Sequence, residues 1–215
     1  MADNASIPLL EVRGLRCERG GRLLFEDLSF TLHGGEVLQI AGPNGCGKTT
    51  LLRSIAGLSQ RVTGEVFWRG GVIGRSRYEY LRESLYLGHD AAVNPALTPI
   101  EDLCWHRALW GRSQPISAEA ALARIGLATQ LHTPIQKLSA GQRRRIALAR
   151  LLLSPAALWI LDEPFTAIDL GGVAGLEALI GAHATAGGAV LLTTHHRLAT
   201  IPGLRQLALS TQGGG

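Results

Sequence analysis

At 215 residues and a formal charge of only +4, the chain is long enough for one α/β core with an embedded subdomain and too short for two large domains. Its basic residues are spread along the sequence, so nothing marks a dedicated nucleic-acid surface, and the one run, Arg143–Arg145, reads as an exposed helix face. Cys17, Cys46 and Cys104 have no metal-ligand spacing and favour a reduced, cytosolic setting. No secretory signal is legible at the N-terminus, and the longest apolar stretch, Ile146–Leu161, is broken by Arg150 and Pro155, so a membrane role has to come through a partner.

In chain order, residues 9–17 and 23–32 read as strands with partial alternation, followed by a Gly34–Gly35 turn and an apolar strand over 36–42. A helix is predicted from Lys48 to Ala56, stopped by Gly57. After a strand over 64–70 and a polar segment, residues 84–90 form a short strand running into a loop. Thr98, Pro99 and Glu101 supply an N-cap, a first-turn proline and a capping acid for a helix to Trp110. Ser117–Gly126 is a second capped helix, and the whole of 98–137 lacks strand alternation, which reads as a helical insertion. Ser139 and Gln142 form another capping box, opening a long helix. The run at 157–163 is a fully buried parallel strand ending on two carboxylates, and a helix over 172–185, a strand over 189–195 and a last strand over 204–210 complete the alternation. The tail 211–215 is expected to be disordered.

The chemistry concentrates at Gly42-x-x-x-x-Gly47-Lys48-Thr49, a phosphate-binding loop in the strand–loop–helix context that such a loop requires. Glycines let the chain curl around an anion, and backbone N–H groups from Asn44 to Thr49 converge at a helix N-terminus. Only two of the 21 basic residues are lysines, Lys48 and Lys137. Lys48 offers the compact ammonium that fits between phosphates where a guanidinium fork does not. Asp162, at the end of an apolar strand, is the carboxylate that would hold Mg²⁺ together with the Thr49 hydroxyl. Glu163, pointing the other way, is placed to polarise a water for attack on the γ-phosphate. His195 ends the next strand and brings an imidazole toward the same phosphate. The pair His195–His196 lacks a third ligand at metal spacing.

Five motifs then fall in order: the phosphate loop, "LSAGQ" at 138–142, "LWILDEP", "TAID" at 166–169, and "TTH" ending at His195. This order resembles the ABC-type ATPases. The resemblance implies a RecA-like P-loop α/β core with an inserted α-helical subdomain and an N-terminal antiparallel β subdomain. The core would occupy 1–88 and 151–210, and the helical part about 89–150. It also implies ATP and Mg²⁺, bound by the loop Gly42, Pro43, Asn44, Gly45, Cys46, Gly47, Lys48, Thr49 and Thr50. Two copies would sandwich ATP head to tail, with Ser139, Gly141 and Gln142 of one copy reading the γ-phosphate held by the other. Two positions depart from that pattern. Arg19 stands where an aromatic usually stacks on adenine, which loosens the choice of base. His89 stands where Gln usually contacts Mg²⁺ and the attacking water. Cys46, where Ser is common, contributes mainly its backbone N–H and is expected to make the loop sensitive to thiol reagents.

With these features, "CER", "LGHD" and "LLTTHH" make the chain similar to the haem exporter ATP-binding family of bacterial cytochrome c maturation. That narrower resemblance implies a homodimer at the cytoplasmic face of the inner membrane, beneath the integral subunit CcmB and with CcmC, CcmD and the haem chaperone CcmE. ATP hydrolysis would power haem export or release of loaded CcmE. The rivals are another ABC transporter ATPase with a different passenger, a nucleic-acid-associated ABC ATPase and a non-hydrolysing nucleotide gate. The nucleic-acid class carries a long coiled coil or tandem cassettes, and neither is present. The intact Glu163 and His195 argue against the gate.

Overall fold

The computed structural model describes residues 7–59, 62–110, 116–198, 201 and 203–209. The expected tail disorder at 211–215 lies outside them. Two sheets organise the chain. The N-terminal one is antiparallel, in the order β2-β1-β4-β5, built from β1 (Leu10–Arg19), β2 (Arg22–Leu32), β4 (Val62–Trp68) and β5 (Gly71–Val72). Gly20 and Gly21 form the two-residue turn between β1 and β2, which sets Arg19 directly opposite Arg22.

The second sheet runs β6-β7-β8-β3-β9, all parallel: β3 (Val37–Ala41), β6 (Ser84–Leu87), β7 (Leu158–Asp162), β8 (Ala189–Thr193) and β9 (Leu204–Ala208). Every residue of β7 and β8 is buried, as expected of strands covered on both faces. The two-residue period divides them cleanly. Leu158, Ile160 and Leu191 join a core with β1, β2, β4 and α1 (Lys48–Ile55), while Trp159, Leu161, Val190 and Leu192 face α6 (Leu170–Thr185) and part of α5 (Ala140–Leu153).

A third core is built from helices and the loops between them. It joins α3 (Pro99–Trp110) and α4 (Ala118–Arg124) to Ile146, Ala149, Leu152 and Leu153 of α5, with Ile135 from a 3₁₀ turn at Ile135–Lys137. Helix α5 therefore shows one face, Leu148 and Leu151, to the sheet and another to the helical layer.

The fold class read from the sequence stands, and three local readings change. The polar segment after β4 contains a helix, α2 (Arg77–Glu83), fixed by Tyr80. Tyr80 is buried, packs edge-on against Trp68 with ring centroids 5.7 Å apart, and donates its hydroxyl to Ile55 O at 2.7 Å. Helix α6 begins at Leu170, two residues earlier than expected, because the Asp169 carboxylate accepts the Gly172 N–H at 2.8 Å as its N-cap. The run Arg143–Arg145 is not an exposed face: Arg144 is only 4% exposed, drawn inward by backbone carbonyls.

The C-terminal ends of β3, β6, β7 and β8 lie along one edge of the parallel sheet. The phosphate loop, His89, Asp162–Glu163 and His195 all emerge there, as ligand sites in α/β sheets do.

Candidate nucleotide site

The loop after β3 owes its shape to two glycines. Gly42 has φ 153°, and a β-carbon there would stand 2.5 Å from Leu209 O and 2.8 Å from Cys46 Sγ. Gly47, at φ 104°, is the N-cap of α1 and provides no side chain to cap it. The first N–H groups of α1 therefore stay available at the positive end of the helix. Lys48 Nζ donates to Gly42 O at 2.7 Å and to Pro43 O at 3.1 Å. With three donors on an ammonium, one remains for a phosphate.

A cleft of about 750 Å³ opens over this loop. Of the residues singled out in the sequence, Arg19, Asn44, Gly45, Gly47, Lys48, Thr49, Thr50, His89, Asp162, Glu163 and His195 line it. Gly42, Pro43 and Cys46 support the loop without lining the cleft. Cys46 is fully buried, so the expected sensitivity to thiol reagents does not follow: a bulky reagent has no path to the sulfur. The cleft also draws in Arg22, Leu24 and Thr166. Arg22 was within reach of sequence reasoning, because a Gly–Gly turn places it across from Arg19.

Asp162 is 1% exposed. Its Oδ1 accepts the Thr193 hydroxyl at 2.7 Å, and its buried Oδ2 has no hydrogen-bond partner within the chain. Glu163 sits at φ 50°, outside the regions a β-carbon favours, with its N–H bonded to Thr193 O at 3.1 Å and to Thr193 Oγ1 at 3.0 Å. Its Oε2 accepts the His195 N–H at 3.3 Å. Oε1 is buried without a hydrogen bond, 3.5 Å from His195 Nε2. The His195 ring is largely exposed over the cleft, whereas His196 turns away to Glu177 Oε1 at 3.1 Å and packs against Phe165. Tyr86, on β6 behind Thr49 and Asp162, has its pKa pushed up to about 12 by burial and by the Asp162 charge, so it is a neutral wall.

The donor set suits Mg²⁺. A hydroxyl at Thr49 and an unpartnered buried carboxylate oxygen at Asp162 line one cleft, and hard oxygen donors are what this ion takes. Bound there, Mg²⁺ would neutralise charge on the phosphates. Among the described residues no group of three His, Cys, Asp or Glu side chains could hold a metal by itself.

The signature residues, Ser139, Gly141 and Gln142 of the "LSAGQ" motif, lie elsewhere. Ser139 Oγ accepts the Gln142 N–H at 3.2 Å and Gln142 Oε1 accepts the Ser139 N–H at 2.8 Å, closing the capping box at the start of α5. Gly141 packs close to Ala167 O, where a β-carbon would come to 3.2 Å. None of the three lines the chain's own cleft.

Residues 25–166 match the family model described as "ABC transporter". Proteins named cytochrome c biogenesis ATP-binding export protein CcmA are similar over nearly the whole chain. That of Hahella chejuensis is 50% identical over 205 residues, 94% of this chain and 96% of its own. That of Vibrio cholerae is 49% identical over 205 residues, covering 94% and 98%. The chain belongs to the CcmA family of ABC transporter ATP-binding proteins. Membership makes it an ATPase, and the fold agrees. An ATP-binding subunit of an ABC transporter superposes with a TM-score of 0.77 at 26% identity, covering 87% of this chain and 79% of that one. A dimeric ATP-binding cassette in a post-hydrolysis state, bound to ADP and Pi, shares the fold with a TM-score of 0.75 at 22% identity, covering 87% and 88%. No helix among the described residues is long and apolar enough to cross a membrane.

Proposed function

We propose that this chain is the ATP-hydrolysing subunit of a membrane ABC complex for cytochrome c biogenesis, powering haem export or release of the haem-loaded chaperone CcmE. It would act as a homodimer on the cytoplasmic face of the bacterial inner membrane, beneath CcmB and with CcmC and CcmD. The observation that carries the reading is a single cleft lined by Lys48, Thr49, Asp162, Glu163 and His195 in a chain about half identical, over nearly its whole length, to CcmA proteins.

Each side chain has a task in this scheme. The loop Gly42–Thr50 and the N-terminus of α1 cradle the phosphates, with Lys48 bridging β and γ. Thr49 and Asp162 hold Mg²⁺. Arg19, helped by Arg22, lies against the base, a guanidinium plane in place of an aromatic ring. Glu163 orients a water through Oε1 and takes its proton as the oxygen attacks the γ-phosphorus and the bond to ADP breaks. His195, anchored to Glu163 through its own N–H, steadies charge on the transferred phosphoryl. His89 reaches the cleft from the end of β6 and takes the water-contacting role. Ser139, Gly141 and Gln142 complete the site of a second copy.

The test joins partner and passenger in one strain. Tagged protein is recovered from membranes, its integral subunit is identified, and haem attached to cytochrome c is measured with Lys48→Ala as the only copy. The expected result is a CcmB-like subunit in the pull-down and loss of covalent haem. A different transporter subunit, or normal cytochrome c in Lys48→Ala cells, would remove the assignment to this pathway.

A further inference from the structure

Arg144 is a buried arginine at the start of α5 whose two terminal nitrogens are both spent on two loops, while its Nε–H has no hydrogen-bond partner among the described residues. Nη1 donates to Gly88 O at 2.8 Å and to His89 O at 3.1 Å. Nη2 donates to Glu163 O at 2.8 Å and, more weakly, to Asp162 O at 3.4 Å. One rigid plane thus spans the ends of the adjacent strands β6 and β7, where the chain has left the sheet and its carbonyls need new donors. Burial pulls the Arg144 pKa below its ordinary value, and the charges of Asp162, Asp90 and Glu163 oppose that pull. An arginine so placed stays charged, and only an extensive set of acceptors makes its burial tolerable.

The position of these acceptors matters more than their number. Glu163 holds a left-handed backbone, and a non-glycine residue persists there only when its surroundings over-determine it. Thr193 grips its N–H from β8, and Arg144 grips its carbonyl from α5. The same guanidinium fixes the carbonyl of His89. Arg144 sits only two residues beyond Gln142, in the opening turns of the helix that Ser139 caps.

We propose that Arg144 is a positioning residue, which aligns the Glu163 carboxylate and the His89 side chain only when the signature end of α5 is docked against β6 and β7. Motion of the helical layer would then be felt at the attacking water without any signature residue of the same chain entering its own cleft. The proposal rests on the assignment of Glu163 as the base.

The test uses the full chain purified with its membrane partner, in wild-type, Arg144→Lys, Arg144→Met, Glu163→Gln and Glu163→Gln/Arg144→Met forms. ATP turnover, KM, binding of a fluorescent ATP analogue and melting temperature are measured for each. Misplacing a catalytic group by about 1 Å costs on the order of 10² in rate. Arg144→Met is therefore expected to lower kcat by roughly 10- to 100-fold with KM and nucleotide affinity within about 3-fold of wild type, and Arg144→Lys, which keeps a donor, to lose less. Because the two residues act as a unit, Arg144→Met in the Glu163→Gln background is expected to cost less than about 3-fold more. The proposal is overturned by wild-type kcat in folded Arg144→Lys and Arg144→Met, by KM rising in step with the loss, or by an equal loss in both backgrounds. If Arg144→Met does not fold, Arg144→Lys decides between lowered and wild-type kcat. Equal turnover of wild type and Glu163→Gln removes the base itself, and the premise with it.

Discussion

The hydroxyl of Thr193 donates to Asp162 Oδ1 and accepts the Glu163 N–H, so a single side chain from β8 sets two neighbouring carboxylates at different angles. One carboxylate oxygen of Asp162 is spoken for and the other is left for a cation, whereas Glu163 keeps Oε1 unbonded beside His195. On the proposed function a division of labour follows: Asp162 would be a charge partner for the metal, and Glu163 a proton acceptor. Glu163→Gln keeps the shape and removes the basicity. It is expected to retain ATP affinity within a few-fold while turnover drops by about 10² or more, the usual contribution of general-base catalysis. Equilibrium nucleotide binding and steady-state phosphate release, measured on the same preparation, check it. Near-normal phosphate release would take Glu163 out of this role.

At the scale of elements, two capping serines separate stability from chemistry. Ser117 caps α4 by accepting the Ala120 N–H at 3.1 Å and Ser139 caps α5, but only Ser139 is proposed to meet a phosphate. Each Ser→Ala change is expected to cost about 1 kcal/mol, or roughly 2–4 °C in Tm, while only Ser139→Ala slows ATP turnover. Thermal melts and ATPase assays on both variants separate the two effects. A second element-level expectation concerns α3. His106 lies half-buried between Trp105, Trp110 and the buried Arg150–Asp102 ion pair. Burial and the Arg150 charge lower its pKa to about 4, against the weaker pull of Asp102. The unfolded chain, with histidine near 6.5, binds the extra proton first, so stability is full above pH 6.5 and declines as pH falls toward 4. The loss is of order 1–2 kcal/mol once screening at the ring's open edge is allowed for. His106→Gln is expected to flatten Tm between pH 7 and 5, and an unchanged slope would exclude His106 as its source. What the sequence could and could not show follows the range of the interactions. The caps of α3, α4 and α5 and the buried runs of β7 and β8 are local patterns, and so were legible. Helix α2 was not, because its one buried anchor, Tyr80, is explained only by Trp68 and Ile55 in other elements. The burial of Arg144 was equally hidden, since two of its acceptors, Gly88 and His89, lie 56 and 55 residues away.

For the molecule as a whole, the proposed function implies that one chain does not contain a complete site. Ser139, Gly141 and Gln142 stand outside the cleft lined by Lys48, Asp162 and Glu163, so in the proposed assembly a second copy placed head to tail would supply them. That arrangement has a genetic signature. Lys48→Ala spoils the phosphate loop and leaves the signature intact, and Gly141→Asp does the reverse, placing a carboxylate where a phosphate should approach. Homodimers of either variant have two broken sites. In a mixed dimer, one site combines both lesions and the other has neither. Equimolar mixing, with exchange of copies, is therefore expected to restore up to about a quarter of wild-type ATP turnover, since half the dimers are mixed and each carries one good site. The Gly141→Asp protein must first be shown to bind nucleotide, because a β-carbon there already stands 3.2 Å from Ala167 O and the 166–169 segment has to yield slightly. If nucleotide-binding Gly141→Asp and folded Lys48→Ala exchange copies yet recover no activity, the signature acts within its own chain and the head-to-tail dimer is the wrong assembly.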